Sequence, residues 1–147
     1  MTQEFLRPSA TEQFFNRVFG LLVGKGLGPS YCYLLQVRGR KSGKLYSNPV
    51  NVMEINGKRL LVAPRGRTQW VRNAESSGEI KLKRGSFQKD FRLKEIVVPD
   101  KLPILKEYLD RYHGAVQRYF TVRAGSPAEA FAEIADRHPA FELVEAS

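Results

Sequence analysis

The segment YCYLLQVRGRKSGKLYSNPVNVM, residues 31–53, contains two apolar runs separated by a basic turn. Residues 31–37 are rich in β-forming side chains, and residues 45–53 offer a second extended run in which Pro49 indicates an edge or a bulge. Between them, residues 38–44 hold four cations, two glycines and one serine. We therefore predict a β-hairpin with concentrated positive charge at its tip.

Turn signals farther along the chain predict more strands in the same sheet. Asn56-Gly57 is a strong short hairpin signal and joins the second run to a third at residues 59–63. Gly85-Ser86 separates extended runs at residues 80–84 and 87–97, which predicts a second hairpin. Consecutive strands with short turns, followed by helices, favour an α+β fold built on an antiparallel sheet or small barrel.

Helical signals lie between and after these strands. Thr68 is a candidate N-cap for a short helix over residues 69–76 that ends at Gly78. Apolar residues at helical spacing predict a longer helix that begins after Asp100, and Gly114 is expected to separate it from a shorter helical segment.

The two ends of the chain also carry structural signals. Ser126 begins a capping-box pattern for a last helix that Pro139 stops, and residues 141–144 predict a closing strand. At the start, a helix is predicted over about residues 9–23. Its apolar stripe could face the core or make a peripheral contact with a membrane surface, and it consists of Phe14, Phe15, Val18, Phe19 and Leu22.

The 147-residue chain has the composition of a soluble globular protein, with 42% hydrophobic and 27% charged residues. Its length suits a single domain over residues 1–147, and no apolar run is long enough to cross a bilayer. The single Cys32 excludes an internal disulfide, and the start lacks a secretory signal pattern, so we expect a cytoplasmic protein. The net charge of +9 suits an anionic ligand, nucleic acid or an acidic membrane.

The side chains do not form a recognisable catalytic set of their own. His113 and His138 have no ligand-spaced partners, and one cysteine cannot build a cysteine-rich metal site, so we predict no metal. For His138, at a helix end, interaction with the helix dipole is the simplest interpretation. No carboxylate pair has a spacing that indicates acid–base chemistry. A bound cofactor is therefore the more plausible source of reactivity.

Two basic glycine loops and one aromatic helix could form a cradle for such a cofactor. The first loop carries Arg40, Lys41 and Ser42, whose donors suit a phosphate group. The second loop, residues 65–68, leads into the N-terminus of the short helix, where Trp70 and Asn73 lie about one turn apart. A planar ring with an anionic tail would satisfy all three features.

Each feature also has a simpler interpretation. The first loop could be a solvated hairpin tip, since exposed cations discourage edge-to-edge aggregation, and Trp70 could be a core residue that anchors its helix. A nucleic-acid partner is not expected, because basic arms that enter a groove are usually disordered extensions and no recognised binding motif is present. The coincidence of two basic glycine loops, each preceded by a strand, favours the cofactor interpretation.

The order and spacing of four motifs resemble the deazaflavin-dependent nitroreductase and quinone reductase family of actinobacteria. The likeness runs from about residue 21 to residue 141, and its motifs are GRKSG at 39–43, NPV at 48–50, APRG at 63–66 and WVRN at 70–73. The resemblance implies an antiparallel split β-barrel of the flavin-reductase type with peripheral helices. It also implies coenzyme F420, an 8-hydroxy-5-deazaflavin with a phosphate and a polyglutamate tail, with FMN a less favoured alternative.

The resemblance assigns a cofactor-binding role to matching positions in this sequence. It implies that Arg40, Lys41 and Ser42 hold the phosphate and tail and that the next segment lines the ring. The ring-lining residues would be Ser47, Asn48, Pro49, Val50 and Asn51. The loop and helix that complete the pocket would contribute Ala63, Pro64, Arg65, Gly66, Gln69, Trp70, Val71, Arg72 and Asn73. Tyr46 stands where relatives often carry arginine, so Arg65, Arg67 or Arg72 could replace one contact to the tail.

The implied reaction is hydride transfer from C5 of the reduced deazaflavin to an electron-poor acceptor, followed by protonation from solvent or a nearby hydroxyl. Quinones, activated enones and nitro compounds are the acceptors that the resemblance allows, and Tyr112 and Tyr119 are candidates on the acceptor side. The alternatives are a non-catalytic lipid- or cofactor-binding protein, or an FMN-binding protein, on the same fold. The oligomeric state stays open.

Overall fold

The structure, a computed structural model, describes residues 20–23, 25, 26 and 28–146. Within that part, the strands are β1 (Cys32–Arg38), β2 (Leu45–Ile55), β3 (Lys58–Val62), β4 (Glu79–Arg84), β5 (Phe87–Glu95) and β6 (Ala140–Glu145). The helices are α1 (Gln69–Ser77) and α2 (Lys101–Val116), and two 3-10 helices span Gln117–Tyr119 and Ala128–Arg137.

The strands form a closed antiparallel barrel in the order β1-β2-β3-β6-β5-β4. Tight turns join β2 to β3 and β4 to β5, and the first of these turns places both Asn56 and Gly57 at positive φ, as a type I′ hairpin requires. β6 enters between β3 and β5, so that Leu61 pairs with Phe141 and Val62 with Ala140. This barrel with peripheral helices confirms the predicted α+β split-barrel fold.

The alternation of side chains along the strands builds two apolar cores. Leu61 belongs to the cluster that fills the barrel, whereas its neighbours Leu60 and Val62 belong to a second cluster under α2 and the longer 3-10 helix. Leu35, Leu82 and Phe91 are fully buried in the first cluster. In the second, the fully buried residues include Met53, Leu105, Leu109 and Phe131.

Three helical predictions differ from the structure. α1 ends at Gly78 in the left-handed conformation as expected, but its N-cap Thr68 makes no side-chain capping hydrogen bond. α2 continues past Gly114, because a single exposed glycine destabilises a helix too little to end it. The irregular backbone of α2 lies instead at Tyr112 (φ −117°, ψ 20°). The segment after Pro127 is a 3-10 helix without a side-chain cap, so the predicted capping box does not form.

The predicted N-terminal helix lies mostly outside the described residues. Residues 20–23 are helical, Val23 is fully buried, and a Cβ added to Gly20 would lie 3.3 Å from the Leu34 Cδ1 atom. These contacts place the end of that segment against β1. A membrane contact through its earlier residues stays a prediction, and in the described part of the chain no helix is long and apolar enough to cross a bilayer.

Candidate cofactor site

The basic tip between β1 and β2 is docked on α1. The main-chain N–H of Arg40 donates to Asn73 Oδ1 at 3.0 Å, and its Nη1 donates to the same oxygen at 2.8 Å and to Gln69 Oε1 at 3.1 Å. Gly39 N–H donates to the Lys44 carbonyl at 2.7 Å and closes the turn. The tip is therefore an organised loop rather than a freely solvated one.

This docking creates a cationic cavity of about 410 Å³ between the tip, β2 and α1. It is lined by Gly39, Arg40, Lys41, Ser42, Tyr46, Ser47, Asn48, Gln69, Trp70 and Asn73. The Lys41 and Ser42 side chains are exposed at its edge, whereas Asn73 is buried. Two cations, hydroxyl groups and amides in one concavity are a donor set that suits a phosphate-bearing ligand.

A second cavity of about 210 Å³ lies beside the first and shares Trp70 with it. Its walls are mostly apolar side chains and main chain, from Pro49, Val50, Asn51, Val62, Ala63, Pro64, Arg65, Gly66, Thr68, Trp70, Tyr108 and Val116. Trp70 also packs against the barrel cluster and against a small cluster of Ala63, Val71 and Phe141, so its core role and its place on the cavity wall coexist. We call this the ring cavity, because its mostly apolar lining, with Trp70 on one wall, suits a planar ring.

The loop of residues 63–66 forms one wall of the ring cavity and is held in place by hydrogen bonds to His138 and Pro139. Ala63 N–H donates to the Pro139 carbonyl at 2.8 Å, and Gly66 turns the loop with φ 85°. His138 Nδ1–H donates to the Pro64 carbonyl at 2.9 Å, and its ring stacks on Phe120 with centroids 4.1 Å apart.

Burial lowers the pKa of His138 to about 4, although its hydrogen bond to Pro64 opposes the shift. The imidazole is therefore neutral at pH 7 and supports the loop, so it adds no positive charge at the end of the preceding helix.

The floor of the ring cavity contains a small buried polar network. Cys32 Sγ donates to Asn51 Oδ1 at 3.2 Å, and Asn51 also shares a side-chain hydrogen bond with Tyr108. Because the Asn51 oxygen accepts from the thiol, its amide group is the donor to the Tyr108 oxygen. Burial raises the pKa of both Cys32 and Tyr108, so both groups stay protonated at neutral pH.

The two tyrosines predicted on the acceptor side lie near this cavity without lining it. Tyr112 is buried, and its ring lies 4.7 Å from that of Tyr31 and 5.1 Å from that of Tyr108. Tyr119 lies under the Arg65 guanidinium, with Cζ 5.2 Å from the ring centroid. Sequence reasoning missed Tyr108, because a tyrosine in the apolar stripe of a helix has the same pattern as an ordinary core residue.

The remaining predicted site residues have different positions. Val71 is fully buried in the core and lines neither cavity. Arg72 Nε donates to the Arg67 carbonyl at 3.0 Å, on a part of α1 that neither cavity reaches. The Arg67 side chain lies 3.4 Å from Glu75 and 3.8 Å from Glu95, so its charge is balanced within the fold.

Thr68, which belongs to the second basic loop and is also the candidate helix cap, lies on the wall of the ring cavity. Among the described residues, its Oγ1 atom is the one buried side-chain polar atom with no hydrogen-bond partner. A buried hydroxyl is usually paired, so this unsatisfied group beside the cavity is consistent with a ligand that brings its own polar edge. The cationic and ring cavities together fit a cofactor with a planar ring and a phosphate.

No group of histidine, cysteine or acidic residues in the described part of the chain could hold a metal ion. The two cavities are lined by cationic, hydroxyl and amide groups beside apolar side chains.

Comparison with solved structures supports the fold. A structure described as an F420H2-dependent reductase, FDR-A, aligns with a TM-score of 0.52 and 20% identity over 78% of this chain and 94% of its own. A structure described as a domain-swapped dimer aligns with a TM-score of 0.55 and 20% identity over 90% of this chain and 95% of its own. The protein Atu2129 from Agrobacterium tumefaciens, of unknown function, aligns with a TM-score of 0.58 and 18% identity over 99% of this chain and 60% of its own.

Comparison of the sequence with curated proteins found no significant match. The sequence profile of F420H(2)-dependent quinone reductases, in contrast, matches residues 10–123, which is more than half of the chain. That range contains both basic loops, α1 and all of the residues that line the two cavities. The chain therefore belongs to the F420H2-dependent quinone reductase family and uses coenzyme F420.

Proposed function

We propose that this protein reduces a quinone with reduced coenzyme F420 bound across the two cavities described above. The cationic cavity would hold the phosphate and anionic tail, and the ring cavity would hold the deazaflavin. The observation that carries this assignment is that the two cavities share Trp70, while Arg40 and Lys41 line the first and the second is mostly apolar apart from a few polar groups and Arg65. Coenzyme F420 has a matching arrangement, with a planar ring at one end and an anionic phosphate and tail at the other.

At the cationic end, Arg40, Lys41 and Ser42 would bind the phosphate. The Arg40 guanidinium is already held by α1, while Lys41 is exposed and able to reach a flexible tail. A charge-assisted hydrogen bond to a phosphate contributes about 1.5 to 3 kcal/mol. These residues would bind and orient the cofactor without taking part in the reaction itself.

At the ring end, the residues would orient the cofactor and limit water. When bound, the reduced deazaflavin supplies the hydride that the acceptor takes up. The 63–66 loop presents main-chain groups to the cavity edge, and Trp70 and Val62 supply apolar contact. Tyr108 stays protonated and its oxygen accepts from Asn51, so its own O–H can donate toward the cavity. The Tyr108 hydroxyl would thus stabilise negative charge that develops on an acceptor oxygen.

Quinones are the acceptor class that the family's description supports, and activated enones and nitro compounds are further candidates. All three develop negative charge on an oxygen or on a conjugated system after hydride uptake. A protonated tyrosine on the wall of the ring cavity would assist any of them. Assays of a panel of quinones, enones and nitro compounds with the reduced cofactor distinguish these classes.

The test is a binding titration followed by an activity assay. Coenzyme F420 is expected to quench the emission of Trp70, the single tryptophan, and to bind more tightly than FMN. Lys41→Ala should weaken the affinity for coenzyme F420 about tenfold, or roughly 1.4 kcal/mol, with the free energy of unfolding unchanged. Lys58→Ala, which removes an exposed charge at the opposite end of β2, is the matched control and should have no effect. Tighter FMN binding, or equal effects of the two variants, would contradict the proposal.

A further inference from the structure

The Arg40 guanidinium is anchored at one end only. Its Nη1 group donates to Gln69 Oε1 and Asn73 Oδ1, at 3.1 and 2.8 Å. Its Nε and Nη2 groups make no hydrogen bond within the described part of the chain, and Arg40 is exposed on the wall of the cationic cavity. The Nε–Nη2 edge is one of the two edges with which a guanidinium binds a phosphate through paired hydrogen bonds.

Asn73 is a buried polar residue on a helix whose other buried residues are apolar. It is 5% exposed, and its neighbours Val71 and Ala74 are fully buried. A buried amide requires hydrogen-bond partners, and the Asn73 oxygen receives both the main-chain and the side-chain donor of Arg40. One side chain therefore fixes the backbone position of Arg40 and the orientation of its guanidinium together.

We infer that Asn73 is a positioning residue, which holds Arg40 so that the Nε–Nη2 edge of its guanidinium faces the phosphate of the bound cofactor. This inference rests on the assignment of the cationic cavity to the phosphate and tail. Asn73 acts on affinity through Arg40, because its oxygen is already engaged by that residue. A long side chain that is oriented before binding loses less freedom on binding, so the affinity rises without any additional contact to the ligand.

The inference predicts a specific pattern in a double-mutant cycle. Wild type, Arg40→Ala, Asn73→Ala and the double variant are titrated with coenzyme F420, with Trp70 emission as the signal. Asn73→Ala should raise the dissociation constant about tenfold in the wild-type background and less than twofold in the Arg40→Ala background. An equal effect in both backgrounds would overturn the inference, since Asn73 would then contact the cofactor directly or act through the fold.

Two further measurements separate orientation from charge. Arg40→Lys keeps the positive charge but lacks the planar guanidinium with its paired N–H donors, so it should lose nearly as much affinity for the cofactor as Arg40→Ala. Wild-type affinity in Arg40→Lys would overturn the inference. The slope of log Kd against log salt should become shallower in Arg40→Ala and stay unchanged in Asn73→Ala, which keeps every charge. A slope change in Asn73→Ala of the same size as in Arg40→Ala would also contradict it.

A second variant covers the case in which Asn73→Ala does not fold. Gln69→Ala removes one of the two Nη1 acceptors from an exposed position, and its effect should likewise vanish in the Arg40→Ala background. Persistence of the Gln69→Ala effect in that background would overturn the inference. Failure of the wild type to bind coenzyme F420 would instead remove the site assignment itself, which distinguishes the two failures.

Discussion

Protonation of His138 is expected to destabilise the fold between pH 6.5 and 4. The folded protein holds this imidazole neutral, with a pKa of about 4 against an ordinary value of 6.5. In that interval the unfolded chain takes up a proton that the folded chain does not, so stability falls as the pH falls. The stabilisation is complete above about pH 6.5 and has been lost below about pH 4. From the two pKa values, the loss between pH 7.5 and 4.5 is roughly 2 to 3 kcal/mol.

The assay is urea denaturation of the wild type and His138→Gln across this pH range. Carboxylates titrate in both proteins, so the difference between their free energies of unfolding isolates the imidazole. That difference should shrink by roughly 2 to 3 kcal/mol from pH 7.5 to 4.5. His113→Gln, which removes an exposed imidazole and keeps His138, is the control and should follow the wild type. Parallel curves for wild type and His138→Gln would refute a buried, neutral His138.

Three substitutions test other parts of the structure. Gly39→Ala would place Cβ 2.8 Å from Cε2 of the exposed Tyr46, 3.0 Å from Ser42 Oγ and 3.4 Å from the Lys44 carbonyl. The ring can move aside but the turn must also shift, so we expect about 1 kcal/mol of destabilisation in thermal melts and weaker cofactor binding. Phe131→Ala should lower the free energy of unfolding by about 3 to 5 kcal/mol in urea titrations, because this ring is fully buried. Tyr108→Phe should cost about 0.5 to 1.5 kcal/mol by removing the hydrogen bond with the half-buried Asn51 amide; an unchanged stability would argue against that hydrogen bond.

Local chemistry was enough to predict the strands and hairpins. Asn56-Gly57 and Gly85 occupy the turns that their backbone freedom suggested, and the alternation of Leu60 and Leu61 between two cores follows from strand geometry. The closure of the barrel was not readable in the same way. It depends on β6 pairing with β3 and β5, and long-range pairing leaves no local pattern in the sequence.

The same distinction between local sequence signals and long-range packing applies to the functional residues. The basic tip, the APRG loop and Trp70 were identifiable because cations, glycines and a tryptophan are conspicuous in a short segment. Tyr108 was not, since its place on the ring cavity follows from the packing of α2. Thr68 was part of the second basic loop, but its unpaired hydroxyl depends on a capping hydrogen bond that does not form. A sequence motif indicates which residues could bind, while the partners already engaged within the fold, such as Asn73 for Arg40, become visible only in the structure.

The anchoring of the 63–66 loop has a consequence for protein synthesis. Its supports, the Pro139 carbonyl and His138, come about 75 residues later in the chain than the loop itself. At translation rates of about 5 to 20 residues per second, this delay is roughly 4 to 15 seconds. During that interval the loop wall of the ring cavity lacks its supports. Productive loading of the cofactor is therefore expected to follow translation of β6.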